Sequence, residues 1–182
     1  MTTLELKNNF IKLSSDVKKL AEEFLNLSYI QINWRVADSQ WSIGECFEHL
    51  IRTNVKFIPV FKIYTSQENE NKELEFKPTL IGRIVLKSVM PDYNRKFKTT
   101  APFNPIVSDI KESIVRDFLK QNNEITELVK IIDSSNLRKK ITSPFSKFVK
   151  YSIGESFIII GNHNLRHLQQ AGRVMQNEKF PA

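Results

Sequence analysis

The stretch FIKLSSDVKKLAEEFLNL, residues 10–27, decides the architecture. Its apolar positions Phe10, Leu13, Val17, Leu20, Phe24 and Leu27 are spaced 3, 4, 3, 4, 3. That alternation puts them all on one stripe of a helix, the seam along which a bundle helix meets its neighbours. The first 28 residues therefore predict a helix, and Asn33 to Gln40 breaks the pattern.

Outward from that seam, Ser42-Ile43-Gly44-Glu45 is a capping box: the serine oxygen takes an orphan N–H of the first turn, and the glutamate reaches back to the serine N–H. Ile43, Phe47, Leu50, Asn54, Ile58 and Phe61 then share a face. Pro59 removes a hydrogen bond to the Val55 carbonyl, which predicts a kink or an early end there. A third helix is expected from Ser108 or Asp109, with Ile110, Ile114, Phe118, Ile125, Leu128 and Ile132 inward, stopping by Asp133. A fourth is expected from Ser152 to about Asn177. Four amphipathic helices predict an all-α chain, a four-helix bundle forming a single domain over 1–182. The long connection, about 66–107, predicts a crossover between helices two and three, which would let them run in the same direction. Leu80-Ile81 and Ile84-Val85-Leu86 within it suffice for a short extra helix.

Trp41–Phe47 (WSIGECF) and Tyr151–Phe157 (YSIGESF) match at five of seven positions, 110 residues apart. Convergence on a good helix start explains this echo more simply than duplication, and both helix starts follow from it.

The composition is that of a globular chain: 182 residues, 41% apolar and 26% charged. The 27 Lys and Arg against 20 Asp and Glu give a net charge of +7. Basic runs at Arg83–Lys98 and Arg138–Lys150 account for much of this, yet no nucleic-acid motif accompanies them, so nucleic acid is not expected as a partner. One cysteine forbids an internal disulfide and a Cys-rich zinc module. No apolar run approaches the roughly 20 residues that span a bilayer, so no membrane is expected. The opening MTTLELKNNF lacks a secretory pattern, and a cytoplasmic protein is expected.

The chemistry-bearing residues are the three histidines, His49, His163 and His167. His163 and His167 lie about 40° apart on one helix face, one turn from each other. On that wheel His167 falls within the inward arc and His163 at its edge, while His49 sits towards the flank of its own helix. An i, i+4 pair can aim two imidazole nitrogens at one cation, and a third from a neighbouring helix leaves positions open for water and substrate. Spacing alone also fits hydrogen-bonded core histidines. Several rivals fail on inventory. Asn164 and Leu165 follow His163, so the H-E-x-x-H of a zincin is absent; no histidine has a Glu three residues before it, as ferritin-type di-iron sites require; hemerythrin-like centres need more histidines.

Asn33-Trp34-Arg35, then Trp41-Ser42-Ile43-Gly44-Glu45 with His49-Leu50, and finally His163-Asn164-Leu165-Arg166-His167-Leu168-Gln169-Gln170 are similar to the motifs of one family. The chain resembles the DinB/YfiT-like superfamily, with its W-S-x-x-E…H-L motif and its C-terminal H-x3-H motif in the same order. The resemblance implies a four-helix bundle with a crossover, holding one divalent metal, often nickel or zinc, through three histidines at the positions of His49, His163 and His167. It also implies thiol chemistry: characterised members include bacillithiol S-transferases and mycothiol-dependent maleylpyruvate isomerases, while many others have no assigned activity. A low-molecular-weight thiol and a small electrophile are then the expected partners. Metal-assisted hydrolysis is a variant, and a non-catalytic stress-related or partner-binding bundle is the alternative.

Other residues have plainer readings. Trp34 and Trp41 are expected to pack the end of the bundle. Glu45 is expected to cap its helix, and Cys46 to be a small buried residue rather than a fourth ligand. Arg52 and Arg166 are candidates for binding an anionic substrate or are surface charges. The oligomeric state, a homodimer included, is left open by the sequence.

Overall fold

Thr2 caps the first helix, α1 (Thr3–Glu22), with its side chain on the Glu5 N–H while Glu5 returns to the Thr2 N–H. The computed structural model describes residues 1–65, 73–92, 99–106 and 109–182. The single helix expected over the first 28 residues ends early. Helix α1 stops at Glu22, and Ser28 caps a separate short helix, α2 (Tyr29–Asn33). Between them the chain turns, with the Phe24 N–H on the Ala21 carbonyl and the Leu27 N–H on the Phe24 carbonyl. Ser28 starts the new helix: its side chain accepts the Gln31 N–H, and Gln31 returns to the Ser28 N–H, a second capping box.

Ser42 caps α3 (Ile43–Asn54) through the expected box. The helix ends before residues 55–57, and α4 (Ile58–Thr65) follows. Pro59 therefore sits in the first turn of α4, where its missing N–H costs nothing. Of the long connection, 66–72, 93–98 and 107–108 lie outside the described residues, including part of the basic run Arg83–Lys98 and the expected helix start at Ser108. What is described includes the expected extra helix, α5 (Leu80–Val89), and a 3-10 turn, Ala101–Phe103. Helix α6 (Ile114–Ile131) begins later than the sequence suggests. The Asn33 amide explains the delay: it donates to the Ile110 carbonyl at 2.8 Å and accepts the Ile110 N–H at 3.1 Å, which holds Ile110 ahead of the helix.

The basic run Arg138–Lys150 contributes to a feature absent from the sequence expectations, an antiparallel hairpin of β1 (Lys140–Ser143) and β2 (Ser146–Ser152). Ile141, Ser143 and Tyr151 are buried, and Lys140, Lys147 and Lys150 are exposed. Strand β2 runs directly into α7 (Ile153–Met175), capped by Ser152. The other described elements are helices, as expected.

Helices α1, α3, α6 and α7 make the bundle. Gly44 lies against Ile110, Gln121 bonds the Ile51 carbonyl, and Lys62 pairs with Glu124, so α3 and α6 run in the same direction, which the long connection allows. Likewise Gly154 lies against Leu6, and Gly161 against Leu13, so α1 and α7 are parallel. One apolar cluster gathers Phe10, Phe61, Ile125 and Phe157; the other gathers Val17, Phe47, Phe118 and Leu168. Among the described residues no helix is long and apolar enough to cross a membrane.

Candidate metal centre

Each histidine is placed by a capped helix. His49 is seven residues beyond Ser42 and only 6% exposed; His163 and His167 are half-buried on α7. The fold brings all three together: His49 Nε2 lies 3.2 Å from His163 Nε2, and one ligand atom from each ring lies within 4.8 Å of the others. The ring centroids are 5.1 Å (His49–His163), 4.6 Å (His49–His167) and 4.7 Å (His163–His167) apart.

Two rings are oriented from behind. His49 Nδ1 donates to the main-chain carbonyl of Phe103 at 2.7 Å, and His167 Nδ1 donates to Gln170 Oε1 at 3.0 Å. A carbonyl can only accept, so the proton is on Nδ1 and the lone pair on Nε2, the arrangement a metal ligand needs. Burial lowers the pKa of His49, and it lowers His163 well below the ordinary 6.5, with the neighbouring histidines adding to the effect. Burial, then His49, pushes His167 down to about 3. Neutral imidazoles gathered this closely are a donor set that fits a divalent cation.

Trp41 packs as expected at the start of α3, but against the centre itself: its ring lies 4.8 Å from His49 and 5.6 Å from His167. Trp34 stands edge-on to Phe180 instead. Glu45 caps α3 and also receives a two-pronged bond from Arg35, at 2.9 and 2.7 Å. Cys46 is fully buried in the apolar core, and burial raises its pKa, so it is no ligand and no ready nucleophile. Arg52 is paired with Glu48 and donates to the Asn104 carbonyl, a structural tie. Arg166 donates to the Ser88 carbonyl, at the end of α5, and lines the cavity onto which the histidines open.

That cavity has a volume of about 350 Å³ and is walled by Phe57, Phe103, Phe145, Tyr151 and Val89 among others. Phe103 and Phe145 were not singled out from the sequence, and Gln170 only as the end of the C-terminal motif. Gln170 had a signal, since i, i+3 spacing from His167 puts the two side chains side by side. Phe103 ends a 3-10 turn and Phe145 lies in the hairpin turn, both too short to show a periodicity.

The fold and site define a class, a helical bundle with a three-histidine cluster at a cavity. A family model described as DinB superfamily matches residues 15–171, and the chain belongs to that superfamily. DinB-like proteins are metal-binding, and the histidine cluster is where this chain could hold an ion. No curated protein and no solved structure matches the chain.

Proposed function

We propose that His49, His163 and His167 hold one divalent metal, nickel or zinc, and that the protein transfers a low-molecular-weight thiol of the bacillithiol kind to a small electrophile. The observation that carries this reading is the convergence of three imidazoles at the edge of a largely apolar cavity. A metal bound there would supply Lewis acidity, favouring the thiolate form of a thiol at neutral pH. Phe103 and Gln170 hold two of the rings in register, and the aromatic wall keeps the electrophile beside them and excludes water.

Transfer is favoured over hydrolysis because no carboxylate is among the described residues lining the cavity. The nearby glutamates are committed elsewhere: Glu45 to Ser42 and Arg35, Glu155 to Ser152 and Thr79, Glu48 to Arg52. A general base for water is therefore missing from that described wall.

Elemental analysis of tag-free protein tests the reading. About one metal per chain in the parent and its loss in His163→Ala are expected; equal trace metal in both overturns it. Thiol-transfer assays on the loaded protein follow, and loaded protein without turnover supports the non-catalytic alternative.

A further inference from the structure

We infer that α5 and the β1–β2 hairpin form a docking surface for an anionic lipid bilayer, a contact that needs no membrane-spanning segment. Helix α5 is apolar on two sides. Val85, Leu86 and Val89 pack against the core. On the opposite side Leu80 and Ile84, one turn apart, are 79% and 72% exposed, with exposed Arg83 and Lys87 beside them. The hairpin, which packs against α5, repeats the arrangement. Its Phe148 is 83% exposed, Lys147 Nζ lies 5.2 Å from that ring, and Lys140 and Lys150 are exposed as well. Cations interleaved with exposed apolar side chains are what a surface needs to meet headgroups and acyl chains together.

Charge decides the occupant. Of the 27 Lys and Arg, seven lie within residues 80–90 and 138–152, and none of the 20 Asp and Glu does. The other 20 basic residues balance the acids, so the whole net charge of +7 resides in these two neighbouring segments. Exposed aliphatic residues elsewhere are set differently: Ile30, 68% exposed, follows Tyr29, whose N–H and hydroxyl are held by Glu112 and Asp109. A second copy of this chain would bring two such surfaces of like charge together, which repels. Nucleic acid would engage the cations through its phosphates but leave Leu80 and Ile84 without an apolar partner. A bilayer with anionic headgroups engages both.

Co-sedimentation of the full chain with vesicles tests this. Vesicles with about one-third phosphatidylglycerol in phosphatidylcholine are expected to bind at least about tenfold more tightly than phosphatidylcholine alone, and about 0.5 M salt should weaken that binding. Lys87→Ala combined with Lys150→Ala should weaken it by about tenfold or more. Ile84→Ser and Phe148→Ser, each at a largely exposed position, should each weaken it by about three- to tenfold, whereas Ile30→Ser should leave it unchanged. Circular dichroism melts check that each variant folds. Duplex DNA, titrated in parallel, supplies the rival polyanion. No binding to the anionic vesicles, with or without binding to the duplex, overturns the inference. So does vesicle binding that Ile84→Ser and Phe148→Ser leave at the parent level, because the apolar side chains then take no part.

Discussion

His49 donates its Nδ1 proton to the main-chain carbonyl of Phe103 at 2.7 Å, across 54 positions of sequence. The bond joins the bundle to the crossover connection, and the same Phe103 turns its ring into the cavity wall. Orientation of a candidate ligand and the shape of the ligand space therefore depend on one 3-10 turn. Arg52 pins that turn from the next residue, through the Asn104 carbonyl at 3.1 Å.

Gln170 plays the matching part for His167. Without its Oε1 the ring is free to turn and loses a partner that raises its basicity. Gln170→Ala should weaken metal binding by about tenfold, at the low end for such outer partners, while exposed Gln169→Ala should not. Competition titrations against a chelating dye measure both.

The lowered histidine pKa values set a pH dependence for the metal-free protein. His167 is pushed down to about 3, and His49 and His163 also fall below 6.5. Between about 6.5 and about 3 the unfolded chain binds more protons than the folded one, so stability must fall as pH falls through that window. Each group adds at most about 1.4 kcal/mol per pH unit. Denaturant midpoints should decline below about pH 6.5, and His167→Gln should flatten the decline; parallel curves for parent and variant would contradict this.

Much of this was legible in the sequence because it rests on local rules. The capping boxes at Ser42 and Ser152 marked two helix starts, and helical periodicity then put His163 and His167 on one face. What was hidden is largely non-local. Ile110 stays out of α6 because Asn33, 77 positions away, holds it. The hairpin had a weak signal in Pro144 and the alternation around Tyr151, but its basic residues masked it. The Phe103 carbonyl is a main-chain group, and no residue type announces it.

Glu155 joins α5 to the start of α7, accepting the Thr79 N–H at 2.5 Å and its hydroxyl at 2.9 Å, besides the Ser152 N–H at 2.5 Å. Gly82 lies so close that an added Cβ would stand 1.7 Å from Glu155 Oε1. The carboxylate cannot swing aside without losing those bonds. Gly82→Ala should cost about 1–3 kcal/mol and, by moving the α5 wall that carries Val85 and Val89, weaken binding in the cavity. Thermal melts read the first effect, and thiol-transfer assays on the metal-loaded protein read the second.

Arg35 and Glu45 make the corresponding tie at the other capping box. Glu45 is fully buried, and its carboxylate is held by the Ser42 N–H and by both prongs of Arg35, whose side chain is 27% exposed. Removing the guanidinium leaves a buried charge with one backbone partner. Losing one member of a buried pair costs about 3–5 kcal/mol, and water reaching the space left by Arg35 reduces this to about 2 kcal/mol. Arg35→Ala should therefore lower the denaturation midpoint clearly, whereas Arg35→Lys, with a single prong, should recover part of the loss. Because the bond fixes the first turn of α3, on the helix that carries His49, the alanine variant should also weaken metal binding. A variant as stable as the parent would show that Ser42 alone satisfies the carboxylate.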